Sequence, residues 1–227
     1  MALSNVLLLS QIAGNAVAFV LSLCILVPLS LHVTEFNGKC LLFAHGQWGE
    51  DDGLFNVTWP SQMNCSFPII TAVVILMISM IQIYRFVRLS VKQEEASFLG
   101  LFLDVFFGFL LCLMTIVSAM IITMGFMDWC SDITLRFPSC EIAAGQNIIK
   151  EDQKIDTSGF YVQMGTAQFG AWGAFATCVV ISVAALLKLI NNHEMTNMRV
   201  SMYLERQRLV NEDASRDSLD TPGDFSH

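Results

Sequence analysis

The chain has 227 residues, of which 54% are hydrophobic and 14% charged, and its formal net charge is −8. With a mean hydropathy of +0.58, this composition excludes an ordinary soluble domain. Only 12 Lys and Arg stand against 20 Asp and Glu, with no basic patch, which excludes nucleic acid as a partner.

Four apolar runs, at residues 6–31, 67–87, 98–127 and 160–190, organise the chain. Each holds at least about 20 mostly apolar residues, the length a helix needs to cross hydrocarbon about 30 Å thick. Asp104 is the one ionisable residue well inside any of them. In lipid the backbone must satisfy its own hydrogen bonds, so runs of this length are read as helices. The expected fold is an all-α membrane protein. It has a four-helix transmembrane bundle over residues 1–190, outer loops at 32–66 and 128–159, and a partly disordered tail at 191–227.

The first run has no Lys or Arg before Lys39, exceeds an h-region and lacks an A-x-A-like site ahead of the polar loop. It is read as a retained signal-anchor helix. Within it Gln11, Asn15 and Ser22 share one helix face. The first outer loop carries two sequons, Asn56-Val57-Thr58 and Asn64-Cys65-Ser66, which make Asn56 and Asn64 candidate glycosylation sites. Trp48, Phe55 and Trp59 lie there among Gly46, Gly49 and Gly53, a composition that suits a small folded cap, with a short hairpin in it, or a surface for a partner. The turn after the second run holds Arg85, Arg88 and Lys92, and the fourth run is followed by basic residues. By the positive-inside rule both termini are expected in the cytoplasm and both larger loops outside or in a lumen.

In the third run Asp104, Gly108, Thr115 and Ser118 fall on one face. A carboxylate at mid-bilayer costs on the order of 3 kcal/mol. Asp104 stands near the cytoplasmic end, where the cost is smaller and Arg85 or Arg88 is within reach as a partner. The fourth run sets Gln163, Ala167, Gly170, Ala174 and Thr177 on one seam. Such small and hydrogen-bonding residues let helix backbones approach closely. Gln11, Asn15, Asp104, Gly108, Gln163 and Gly170 are therefore the candidate intramembrane polar and packing residues. The second outer loop is acidic but lacks calcium-loop spacing.

Of seven cysteines, Cys24, Cys112 and Cys178 sit inside runs. Cys40 and Cys65 fall in the first outer loop, Cys130 and Cys140 in the second. Paired cysteines confined to one side imply an oxidising compartment. One bridge per loop, Cys40–Cys65 and Cys130–Cys140, is the simplest connectivity; two cross-loop connectivities stay open. In the tail, residues 194–210 place Met195, Met198, Met202 and Leu209 among charges, the pattern of a short amphipathic helix. The segment from Glu205 to Val210 is similar to an acidic dileucine signal except at its last position. From residue 211 the composition is that of disordered chain, with Ser215, Ser218 and Thr221 as phosphorylation candidates.

Several segments resemble the transmembrane protein 179 family: Met1-Ala2-Leu3, Val27-Pro28-Leu29-Ser30, Gly38-Lys39-Cys40-Leu41-Leu42-Phe43, Gly125-Phe126-Met127-Asp128-Trp129-Cys130, Ser139-Cys140-Glu141 and Ala167-Gln168-Phe169-Gly170-Ala171-Trp172. The resemblance runs to about Leu189 and implies a four-span membrane protein with no established enzymatic activity. A broader likeness is to synaptophysin-type proteins of the MARVEL group, with four spans, cytoplasmic termini, a bridge in each luminal loop and an Asp early in span three. It implies vesicle traffic or membrane organisation. Claudin-type proteins are similar in the first loop, where Trp48 and Gly53-Leu54-Phe55 stand in for their motif, although Cys40 precedes those residues instead of following them.

No H-E-x-x-H, G-x-S-x-G, P-loop or C-x-x-C is present. His32, His45, His193 and His227 are scattered through separate segments, so neither metal ligation nor a cofactor is indicated. The expectation is a non-enzymatic, multi-pass protein of the secretory pathway or plasma membrane that organises or traffics membrane cargo through helix packing and outer-loop contacts. Its partners would be the lipid bilayer and other membrane proteins or copies of itself. The alternatives are an accessory subunit of a channel or receptor, and a small transporter or channel using Asp104.

Overall fold

The computed structural model describes residues 2–49, 55–92, 98–146 and 157–219. In chain order these form α1 (Ala2–Glu35), β1 (His45–Trp48), β2 (Phe55–Thr58), α2 (Met63–Lys92), α3 (Phe98–Ile133) and α4 (Phe160–Leu219). Among the described residues four helices are long and apolar enough to cross a bilayer. The protein is a multi-pass integral membrane protein.

Each helix buries one stripe at heptad-like spacing. On α1 the buried stripe passes through Gln11, Asn15, Ala18, Ser22, Ile25, Leu29 and His32; on α4 it passes through Phe160, Met164, Ala167, Ala171, Ala174 and Cys178. α1 packs against α2 and α4, and α4 against α1 and α3, while α2 and α3 touch far less. The bundle therefore closes as α2–α1–α4–α3, with a loose seam between its first and last members.

Close approach explains several glycines. A Cβ at Gly170 would lie 3.0 Å from Cys24 Cβ, and one at Gly108 would lie 2.8 Å from Ser182 Oγ. These contacts join α4 to α1 and α3 to α4, where helices associate by backbone proximity because lipid supplies no hydrophobic drive between them.

The helices run past the expected spans. α3 continues to Ile133, so Asp128, Cys130 and Asp132 stand on helix instead of loop. α4 does not end near Ile190, and residues 194–210 are its direct continuation. The physical reason is local: residues 191–219 contain no Gly or Pro, and Met, Leu, Glu, Gln and Arg all favour helix. Ser215 and Ser218 lie on the last turns of that helical backbone. Thr221 lies outside the described residues.

At the opposite end, α1 stops in a Schellman turn. Gly38 N–H donates to Val33 O at 2.8 Å and Asn37 N–H to Thr34 O at 3.2 Å, with both Asn37 and Gly38 at positive φ. The chain then folds back over the bundle. Phe36, Cys40, Leu41, Leu42 and Ala44 are all buried. β1 and β2 pair antiparallel, His45 opposite Thr58 and Trp48 opposite Phe55. Phe55 and Val57 face inward and Asn56 and Thr58 outward. α2 begins where Ser61 Oγ accepts the Met63 N–H at 3.3 Å, an N-cap bond. Disulfides Cys40–Cys65 and Cys130–Cys140 complete this cap, one bridge per loop, which excludes the cross-loop pairings.

Candidate functional site

Two polar constellations stand at opposite ends of the bundle. The first lies at the tail end, around Asp104 of α3. Arg85 of α2 donates Nη1 to Asp104 Oδ1 at 2.7 Å and to Gln82 Oε1 at 2.9 Å. Gln82 Nε2 donates to the same carboxylate oxygen at 2.9 Å. The Asp104 side chain is only 8% exposed and that of Arg85 40%, so the charge assist is strong on one partner and partly screened on the other. Arg88, one turn on, instead sets its guanidinium 5.8 Å from the Tyr84 ring.

On the far side of the same space, Lys188 Nζ of α4 donates to Gln11 Oε1 at 3.4 Å and lies 5.2 Å over the Phe86 ring. Asn15 Nδ2 donates back to Gln11 O at 2.7 Å. Beside these groups lies a cavity of about 40 Å³ lined from all four helices, among others by Gln11, Asn15, Ser79, Gln82, Asp104 and Gly108. A space of that size admits water beside polar partners.

The second constellation is the bridged cap at the other end of the bundle. Asp132, on the last turn of α3, holds the hairpin from below. Its Oδ2 accepts Gly46 N–H at 3.2 Å and faces His45 Nδ1 at 3.3 Å, and its carbonyl accepts Trp48 Nε1–H at 3.1 Å. Trp129 is fully buried, edge-on to Phe55 at 5.5 Å and to Phe160 at 6.4 Å between ring centres. Phe43 N–H donates to Gly125 O at 3.2 Å, which pins the cap to α3. Gln163 Nε2 donates to Glu35 Oε2 at 2.7 Å, tying α4 to α1 below the cap. His32 is buried with its ring 4.1 Å from Phe36, and neither ring nitrogen has a hydrogen-bond partner among the described residues.

The expected site residues are thus divided between the two ends. Gln11, Asn15, Asp104 and Gly108 meet at the tail-end cavity, whereas Gln163 and Gly170 serve the α1–α4 contact nearer the cap. Asn56 is exposed on β2, and Asn64 is half-buried in the first turn of α2 beside the bridged Cys65. Glu50, Asp51, Asp52, Gly53 and Leu54 lie outside the described residues, as do Glu151, Asp152 and Asp156. Three contributors escaped the sequence reading: Gln82, Asp132, and Lys188 as the partner of Gln11. Only the one-turn spacing of Gln82 and Arg85 on α2 signalled any of them.

The family model described as Transmembrane protein 179/179B Claudin domain matches residues 7–210. The chain belongs to this family. That description names a claudin domain, and the matched region reaches past the bundle into the extended part of α4. No solved structure matches the chain.

Proposed function

We propose that this member of the transmembrane protein 179/179B family is a non-enzymatic organiser of membrane cargo. It would hold a stapled outer cap and a long helical tail at fixed positions on one bundle, so that other membrane proteins, or further copies of it, gather around them. In this reading both termini are cytoplasmic and the cap faces the lumen of the secretory pathway or the exterior.

The observation that carries the reading is the apolar filling between the two polar ends. Ile25, Leu29, Ala72, Ile122 and Ala174 are each at most 1% exposed and lie along their helices between the tail-end cavity and the cap, interrupted by the isolated buried hydroxyls of Ser22, Thr71, Thr115 and Ser118. Solute or ion passage would need a polar line through that layer. Asp104, the residue on which a transport reading depends, is already bound to Arg85 and Gln82, which suits a structural anchor.

Proximity labelling from the end of α4, combined with crosslinking and mass spectrometry in native membranes, tests the proposal. A recurring set of membrane cargo and vesicle proteins is the expected result. A single stoichiometric channel or receptor partner would replace the organiser by an accessory subunit. Asp104-dependent flux in reconstituted vesicles would overturn both.

A further inference from the structure

His32 stands where the cap joins the bundle. It is fully buried at the cap end of α1, yet neither ring nitrogen has a hydrogen-bond partner among the described residues. Such a group is uncommon, because burial takes away the bonds it makes in water. Phe36 closes over it. The two ring centres are 4.1 Å apart, Phe36 N–H donates to His32 O at 2.9 Å, and Phe36 meets Trp59 edge-on at 6.2 Å.

Imidazole is the side chain whose charge ordinarily changes between about pH 5 and 8. A buried neutral ring is tolerable, but a buried charged one is far more costly without a counter-charge. The closed cap supplies none. Among the described residues, α2 from Met63 to Tyr84 and α4 from Phe160 to Leu187 carry no Asp, Glu, Lys or Arg, and Tyr161 is neutral in this pH range. The chain folded back over the bundle contributes Lys39, over the Trp59 ring. On α3, Asp132 is engaged by His45 and Gly46, and Asp128 precedes the buried Trp129. None of these charges acts on the His32 ring, which feels burial alone. Glu35, three positions on along α1, is a neighbour on the helix surface, and its Oε2 accepts Gln163 Nε2–H at 2.7 Å.

We propose that His32 is a proton-driven latch for the cap. On acidification the ring gains a proton, leaves its pocket beneath Phe36 and pairs with Glu35. Gln163 then loses its acceptor, and residues 36–44 lift from the end of α1. The Cys40–Cys65 bridge keeps the lifted chain tethered to α2, so the cap closes again when the proton leaves. The direction follows from the burial. Closure is complete above pH about 6.5, the ordinary imidazole value, and is lost progressively below it. The latch depends neither on the organiser reading nor on which compartment the cap faces.

Hydrogen exchange of the purified full chain in detergent tests it, read at pH 7.5 and 5.0 with labelling times scaled to the intrinsic rates. Opening of residues 36–44 rises about 30-fold between the two, the ratio for a group of ordinary pKa about 6.5 that titrates only when open. Residues 108–125 of α3 keep their protection. His32→Phe, which cannot titrate, removes the rise, and His32→Asn removes it as well, so the outcome stands if one of them fails to fold. Glu35→Gln shrinks the rise, because the open ring has lost its partner. His45→Gln leaves it in place. No rise in the native chain, or a rise that persists in both His32 variants, overturns the proposal. Loss of the rise in His45→Gln also overturns it, by assigning the titration to the His45–Asp132 pair.

Discussion

Leu42 lies directly over Gly125: a Cβ built on that glycine would come within 2.8 Å of Leu42 Cβ and 3.0 Å of Leu42 Cα. The buried strand of chain between α1 and β1 thus rests on bare α3 backbone, and Gly125 O accepts the next amide, Phe43 N–H. Even one methyl group must lift the cap. Gly125→Ala is expected to cost about 1–3 kcal/mol, the usual range for overpacking. Gly165, whose Cβ would meet nothing within 4 Å, is the matched control. There alanine gains helix propensity of about 1 kcal/mol. Thermal unfolding of both variants in detergent checks the opposite signs.

Arg85 and Asp104 should behave as a coupled pair. Arg85→Gln leaves a carboxylate that is only 8% exposed without its cation, so it should destabilise the bundle more than the double variant Arg85→Gln/Asp104→Asn does. Because Arg85 is itself 40% exposed, the coupling energy is expected at about 1 kcal/mol, below the range for fully buried pairs. A double-mutant cycle on unfolding midpoints measures it, and additive effects would show that the pair is incidental.

The two bridges should be unequal. Cys40–Cys65 spans 25 residues and Cys130–Cys140 spans 10. Chain-entropy arithmetic gives about 3–4 kcal/mol for the longer closure against about 2–3 kcal/mol for the shorter. Paired Cys→Ser replacements compared by unfolding midpoint, with each loop mapped by non-reducing peptide analysis, decide the order.

Glycan occupancy should also be unequal. Asn56 points outward from β2, whereas Asn64 is half-buried in the first turn of α2 next to a bridged cysteine. One glycosidase-sensitive mass increment is expected on a gel. Asn56→Gln should abolish it and Asn64→Gln should leave it in place.

Asp132→Ala should loosen the hairpin without unfolding the bundle, because it removes the acceptor of Gly46 N–H and the neighbour of His45 while the Trp48 bond to its carbonyl survives. Faster amide exchange confined to residues 45–48 and 55–58 is the expected signature. Exchange spreading into α3 would contradict it.

Helix number and the inward faces were legible in the sequence because lipid imposes a length rule and a polarity rule at once. Gln11, Asn15 and Ser22 could be placed on one stripe from spacing alone, and all three are buried. The cap was legible as a bridged unit, with its cysteines on one side. What escaped was whatever depends on partners distant in sequence. Asp132 reads as an ordinary loop acid, yet it holds a hairpin more than 80 positions away. Lys188 reads as the basic flank of a span, but the rotation of α4 carries it to the Gln11 side chain of α1. Because hydropathy falls at Ile190, residues 194–210 read as a separate short amphipathic helix, whereas nothing in residues 191–219 interrupts the hydrogen-bond ladder and they continue α4.

That uninterrupted α4 is 60 residues long, about 90 Å at the α-helical rise per residue. It touches the cap at Phe160, packs into the core at Ala167–Ala174 and then projects residues 191–219 about 44 Å beyond the bundle. Such a rod is a lever with its fulcrum in the lipid. A pivot of about 10° at the α1–α4 contact would swing the free tip through roughly 8 Å at this arm length, so an event at the cap can be reported to the far compartment as displacement, with no hinge in the chain to absorb it.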